Sequence, residues 1–223
     1  LIGSKGAKER REQGLFVAEG VQCAREALTS ASGPEIKIIY ATGQGMSKIA
    51  ELDLSSVEIV EVSEPVLKAM SDTVSPQGLI SLCYTPENII SDLALTGNST
   101  VIYLHEMRDP GNAGTILRTA DAMGITAVVT SPDSVDMYSP KVVRSTAGSL
   151  WNIPVYEGVT FQALASIFPD TQKILLSSHA STSILDLKIA GDCIAVFGNE
   201  ARGVDAAVLG AAVTEVTIPM AGN

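Results

Sequence analysis

The stretch Thr100–Asp121, TVIYLHEMRDPGNAGTILRTAD, decides how the rest of the chain is read. TVIYLHEM is rich in β-branched and aromatic residues, as a strand is. DPGNAG follows as a turn: Pro110 lacks a backbone donor, Gly111 admits an unusual backbone angle, and Asn112 can cap a helix. The helix from Asn112 carries Arg118 about two turns beyond that cap. Gly114 leaves room for another chain or a ligand against its first turn. Two readings of Arg118 stay open here: contact with a ligand, or pairing with a neighbouring carboxylate.

The same alternation continues downstream. TAVVTS reads as a strand, PKVVRSTAGSLW as a helix, KILLSS and CIAVFGNE as strands. A short helix after Gly203 and the strand VTEVTIPM follow. Strands alternating with helices predict an α/β fold with a mostly parallel sheet and helices on both faces. Ligands of such sheets bind where loops leave the carboxyl ends of strands. The turns DPGNAG, GNEARG and PMAGN each follow a strand.

Upstream, a smaller α/β domain is expected over residues 1–85. Its polar opening LIGSKGAKERREQG holds Lys5, Lys8, Arg10 and Arg11. LFVAEGVQCAREALTS has apolar spacing at Val21, Ala24, Ala27 and Leu28, which predicts an amphipathic helix. EIKIIYAT, VEIVEVS and GLISLCYT read as strands, and SKIAELD and EPVLKAMSD as helices, with Pro65 in a tolerated first-turn position. PENIISDLALTGNS is the expected linker, residues 86–98, leaving 99–223 as the second domain.

The chain of 223 residues is 46% hydrophobic but has no apolar run near 18 residues, which favours a soluble protein over a membrane one. No targeting leader is visible, and a chain opening on Leu1 is expected to be part of a longer polypeptide. Cys23, Cys83 and Cys193 are unpatterned among apolar neighbours, the pattern of reduced core thiols in a cytoplasmic protein. His105 and His179 are the only histidines, and no group has metal-ligand spacing.

A net charge of −10 argues against bulk attraction to nucleic acid. Placement is another matter. Residues 86–223 carry fourteen acids against seven bases, Arg108, Arg118, Lys141, Arg144, Lys173, Lys188 and Arg202. All four of those arginines fall in or beside glycine turns, either as scattered solubilising charge or as a local anion site. Lys141 and Arg144, at i and i+3, share a helix face that could hold a phosphate or simply be solvated. Glu200 and Arg202 could form a local ion pair. GNEARG has the outline of a phosphate loop, but Val204 stands where its lysine belongs, and no Gly-x-Gly-x-x-Gly occurs.

Taken in order, Asn112…Gly114…Arg118, Arg144-Ser-Thr-Ala-Gly148, Gly198-Asn-Glu-Ala-Arg-Gly203 and Ile218-Pro-Met-Ala-Gly222 resemble the motifs of the SpoU (TrmH-type) branch of the SPOUT RNA methyltransferases. The resemblance covers Val101 to Asn223. It extends to GLFVAEGVQCAREAL and SPQGLISL, which resemble the family's ribosomal-protein-like substrate-binding domain. It implies a parallel-sheet SPOUT domain with a deep trefoil knot, acting as a homodimer that methylates ribose 2′-hydroxyls with S-adenosylmethionine. Ribosomal RNA, 23S in particular, is the implied substrate; transfer RNA methylation or non-catalytic RNA binding are the alternatives. Arg118, Asn112 and Glu200 take the places of catalytic residues. Ser177, Gly198, Asn199, Glu200, Ile218 and Met220 take those of cofactor contacts. Arg10, Arg11, Arg108, Lys141 and Arg144 are the expected RNA contacts. In the family the third motif runs on through a serine and an asparagine into the helix that closes the knot, so that helix is expected beyond Asn223.

Overall fold

The computed structural model describes residues 6–210 and 213–220. Lys5 of the basic opening and Gly222 of the last motif lie outside them. The chain forms two compact units that do not follow sequence order. The first holds the residues up to Glu87 together with Pro110–Arg118 and Asp136–Asn152. The second holds Asn88–Asp109, Thr119–Val135 and the described residues from Ile153 onward.

In chain order the N-terminal elements are α1 (Gly6–Gln13), β1 (Leu15–Glu19), α2 (Val21–Thr29), β2 (Ile36–Ala41), α3 (Gly43–Ser47), β3 (Glu58–Glu61), α4 (Glu64–Met70) and β4 (Leu79–Tyr84). They are followed by β5 (Thr100–Leu104), α5 (Pro110–Ala122), β6 (Ala127–Thr130), α6 (Pro140–Thr146), β7 (Val155–Tyr156) and α7 (Phe161–Ile167). The last four are β8 (Gln172–Leu176), β9 (Cys193–Phe197), α8 (Ala206–Leu209) and β10 (Thr214–Val216).

The first unit is built on a four-stranded sheet in the order β1-β4-β2-β3. β4 runs antiparallel to both neighbours, and β2 and β3 are parallel. Residues Leu15–Glu19 are all buried, so β1 shows no polar alternation. The helix expected across LFVAEGVQCAREALTS therefore occupies only its second half, after Gly20 turns the chain at φ 109°. The helix expected at SKIAELD forms earlier, as α3, because the Thr42 hydroxyl accepts the Gly45 amide at 3.1 Å and caps it there.

The segment Asp136–Asn152 packs on this sheet. The Phe16 ring of β1 lies 5.2 Å from Tyr138 and 5.6 Å from Trp151, centroid to centroid. Burying such a ring contributes roughly 1.5–3 kcal/mol. The opening turns of α5 join the same unit. That helix begins at Pro110, so Asn112 is its third residue rather than its cap. A Cβ on Gly114 would sit 1.8 Å from the Ser145 hydroxyl oxygen, so what lies against the first turn of α5 is this chain's own α6. Ser145 Oγ donates onward to the Val142 carbonyl at 2.8 Å.

The second unit is a six-stranded parallel sheet in the order β10-β8-β9-β5-β6-β7. Its central strands are continuous apolar runs, as strands covered on both faces must be. Val101, Tyr103, Val129, Ile194, Val196, Leu175 and Phe161 form its core. β7 and α7 were not expected: a two-residue strand has no periodicity to read, and α7 is only about two turns long, begun by Thr160 accepting from Ala163. Residues 88–98, most of the expected linker, pack into the second unit. Leu93 joins the core with Ile90 and Leu95, and Asp192 accepts the amides of Gly97 and Ser99 at 2.9 and 2.7 Å.

Candidate active site

Register in the parallel sheet lines up the carboxyl ends of five strands. Val216 pairs with Leu176, Leu176 with Phe197, Phe197 with Leu104, and Leu104 with Thr130. The segments that leave them, from Thr217, Ser177, Gly198, His105 and Ser131, consequently emerge on one edge. Ser177, Gly198, Asn199, Glu200, Ile218 and Met220 all stand there.

The turn after β9 is held from within. Asn199 and Gly203 exchange backbone hydrogen bonds of 2.7 and 2.8 Å. The Asn199 side chain, buried, accepts the amides of Ala201 and Arg202 at 3.0 and 3.1 Å. Its Nδ2 donates to the Glu106 carbonyl at 2.8 Å, which fastens this turn to the one after β5. Gly198 must be glycine, since a Cβ there would lie 2.6 Å from the Gly203 carbonyl carbon. Asn199 is thus the organiser of the turn. Glu200 is exposed on it, and Arg202 pairs with Glu106 at 3.6 Å.

The neighbouring segments are fastened to each other as well. The Ser177 amide donates to Val216, and Thr217 donates to Thr182, at 2.9 and 2.8 Å. Beyond them Ile218 and Met220 are 53% and 81% exposed, large apolar side chains left facing solvent. At the head of the β5 turn, His105 is buried and its Nε2 lies 3.7 Å from Asp205, the cap of α8. Burial pushes the Tyr103 phenol well above its ordinary range, and its hydroxyl donates to Val159 at 3.1 Å. Tyr103 is therefore a core donor, not an acid–base group.

The remaining expected residues fall in the first unit, apart from Arg108, which pairs with Glu106 at 3.5 Å. Arg118 and Asn112 are exposed on α5, and Arg118 pairs with no acid among the described residues. Arg11 and Lys141 are exposed too. Arg10 and Arg144 differ from expectation. Arg10 is buried against Asp136, and Arg144 reaches Glu19 at 3.5 Å and Asp72 at 2.9 Å. Both guanidiniums are committed to carboxylates, so neither stands free for a phosphate. Among the described residues no three His, Cys, Asp or Glu side chains are placed to hold a metal ion. No helix there is long and apolar enough to cross a membrane.

Residues 99–223, more than half of the chain, match the SpoU rRNA Methylase family. The chain belongs to that family. Residues 4–81 match the MRM3-like substrate binding domain. The SpoU methylase is 32% identical over 218 residues to an uncharacterised tRNA/rRNA methyltransferase of Synechocystis, a match spanning 96% of this chain and 79% of the relative. It is 28% identical over 217 residues to the 23S rRNA (guanosine(2553)-2′-O)-methyltransferase of Bacillus subtilis, spanning 97% and 84%. Its fold matches the crystal structure of an AdoMet-bound rRNA methyltransferase from Sinorhizobium meliloti with a TM-score of 0.84 at 26% identity, covering 96% of this chain and 82% of that one. The six-stranded parallel sheet is that of the SPOUT methyltransferases.

Proposed function

We propose that the protein methylates a ribose 2′-hydroxyl of 23S ribosomal RNA, with S-adenosylmethionine as methyl donor. The observation that carries this reading is the carboxyl edge of the parallel sheet. There a turn locked by Asn199 leaves the same edge as the exposed side chains of Ile218 and Met220. A fixed backbone surface and apolar side chains suit a flat adenine ring and a ribose better than a ring of charges would. Ser177, Gly198, Asn199, Glu200, Ile218 and Met220 would hold the cofactor, which supplies an electrophilic methyl group on sulfonium.

The nucleophile is the 2′-oxygen, and its demands are alignment with the methyl carbon and relief of developing negative charge. A guanidinium is a poor proton acceptor, so Arg118 serves as a fork. It grips a phosphate beside the target ribose and stabilises the forming alkoxide, and the proton goes either to a phosphate oxygen or to Arg118 itself, where its surroundings make it an acceptor. Asn112 and Glu200 complete the catalytic set. The residues before 85, with Arg11, Lys141 and Arg108, bind the RNA backbone. This reading includes the family's homodimer, its trefoil knot and a cytoplasmic location, supported by three buried free cysteines.

Ribose-methylation mapping of ribosomal RNA from cells lacking the protein is the direct test. Loss of one 2′-O-methyl mark in 23S rRNA, restored by the purified protein with S-adenosylmethionine, is expected. An unchanged map would overturn the assignment to 23S rRNA.

A further inference from the structure

Glu106 stands outside the motifs quoted above, yet it is held from several sides at the carboxyl edge. Its φ is 49°, the left-handed region that side chains other than glycine rarely adopt. Such a conformation persists only where the surroundings over-determine it, and it concentrates at functional sites. Here they do. The Glu106 amide donates to Ser131 Oγ at 2.8 Å, and its carbonyl accepts Asn199 Nδ2 at 2.8 Å. Its carboxylate lies 3.5 Å from Arg108 and 3.6 Å from Arg202. One residue thus ties together the segments that leave β5, β6 and β9.

We propose that Glu106 is a positioning residue for the turn Gly198–Gly203, acting through Arg202 and Asn199 to preset the backbone that receives the cofactor. The inference rests on the reading that this turn binds S-adenosylmethionine. The left-handed kink aims the Glu106 carbonyl at Asn199, and Asn199 in turn orders the Ala201 and Arg202 amides. Arg202 is 73% exposed, so without the carboxylate its side chain has little to hold it. The carboxylate converts a solvent-facing arginine into a second strut on the same turn. Ser131 supplies the third fixed point from the neighbouring strand.

Glu106→Gly separates these contributions, because glycine accepts the φ without strain and keeps both backbone bonds while losing the carboxylate. Hydrogen exchange of the Asn199, Ala201, Arg202 and Gly203 amides should quicken in this variant with the melting temperature held or raised. Calorimetry with S-adenosylmethionine should show affinity weakened roughly three- to tenfold, the worth of two partly exposed ion pairs. Glu106→Gln, which keeps a shorter-range acceptor, should recover part of that loss. Where Glu106→Gly fails to fold, the double variant Arg108→Ala/Arg202→Ala removes the same two pairs from the other side and carries the same measurements. Unchanged exchange across 199–203 would overturn the tie. Faster exchange with wild-type cofactor affinity would leave the tie standing and refute the cofactor role of the turn instead.

Discussion

The Arg10 guanidinium meets the Asp136 carboxylate at 2.6 Å, with the two side chains only 7% and 17% exposed. A second hydrogen bond of 3.0 Å from Nε reaches the same oxygen, Oδ2, so two donors close on one carboxylate oxygen. Residues 126 positions apart are joined, so the basic opening of the chain anchors α1 to the segment that leads into α6.

Arg10→Ala should therefore act on stability. Removing one partner of a buried pair leaves the other charge uncompensated, at about 3 kcal/mol or more. Urea denaturation of Arg10→Ala beside Arg11→Ala checks it. The first should lose stability, and the second should keep it within about 0.5 kcal/mol while binding RNA more weakly.

Arg144 leads to a similar expectation of smaller size. Its partner Glu19 is buried, but that carboxylate also accepts the Asp72 amide at 3.2 Å and the hydroxyls of Ser71 and Thr73. Four donors share the charge, so Arg144→Gln should cost about 1–2 kcal/mol. RNA affinity should fall no further than the lost stability explains. A large drop in affinity for folded Arg144→Gln would return this residue to the RNA surface.

The parallel sheet was legible because its central strands are unbroken apolar runs, and those of β5 and β9 lead into glycine turns. The same logic hid β1, whose five buried residues carry no alternation to separate it from the helix that follows. The turns at Gly198 and after Ile218 could be placed from strand ends, whereas Ser177 came only from the family resemblance. Charge was read less well. A run such as KERR looks solvated until its partner is known, and Asp136 lies too far along the chain for spacing to suggest it. Glu106 left no trace in the sequence, since a positive φ at a residue other than glycine is imposed by its neighbours.

Gly198→Ala tests the turn itself. The added methyl would meet three backbone atoms of Gly203 within 2.9 Å, and neither side of the turn can shift without breaking the Asn199–Gly203 pair. Cofactor affinity should drop by more than about tenfold, or roughly 1.4 kcal/mol. Melting should move by only a few degrees, because the turn lies at the sheet's edge. Calorimetry and thermal denaturation of the same preparation check both halves.

The buried thiols give stability a pH dependence at the alkaline end. Burial pushes Cys23 up to about 11 and Cys83 up to about 12, from an ordinary value of 9.0. Above pH 9 the unfolded chain sheds these protons while the native one keeps them. The native state then binds more protons, and stability falls as pH rises from about 9 towards 12. Denaturation midpoints across that window should decline in the wild type, and less steeply in Cys23→Ala/Cys83→Ala. At pH 8 neither thiol should react with iodoacetamide until the chain is unfolded.

Arg118 separates chemistry from folding most cleanly. It is exposed on α5 and pairs with no acid among the described residues, so nothing in the fold depends on its charge. Arg118→Ala should melt within a degree or two of wild type and bind S-adenosylmethionine normally. Its turnover on 23S rRNA should fall by at least about 100-fold, the usual loss when a donor to a developing oxyanion is removed. Arg118→Lys keeps the positive charge and gives up the planar fork, so it should recover RNA binding more than turnover. Wild-type turnover by the lysine variant would rule out two-pronged positioning of the phosphate and leave only a general electrostatic role for this residue.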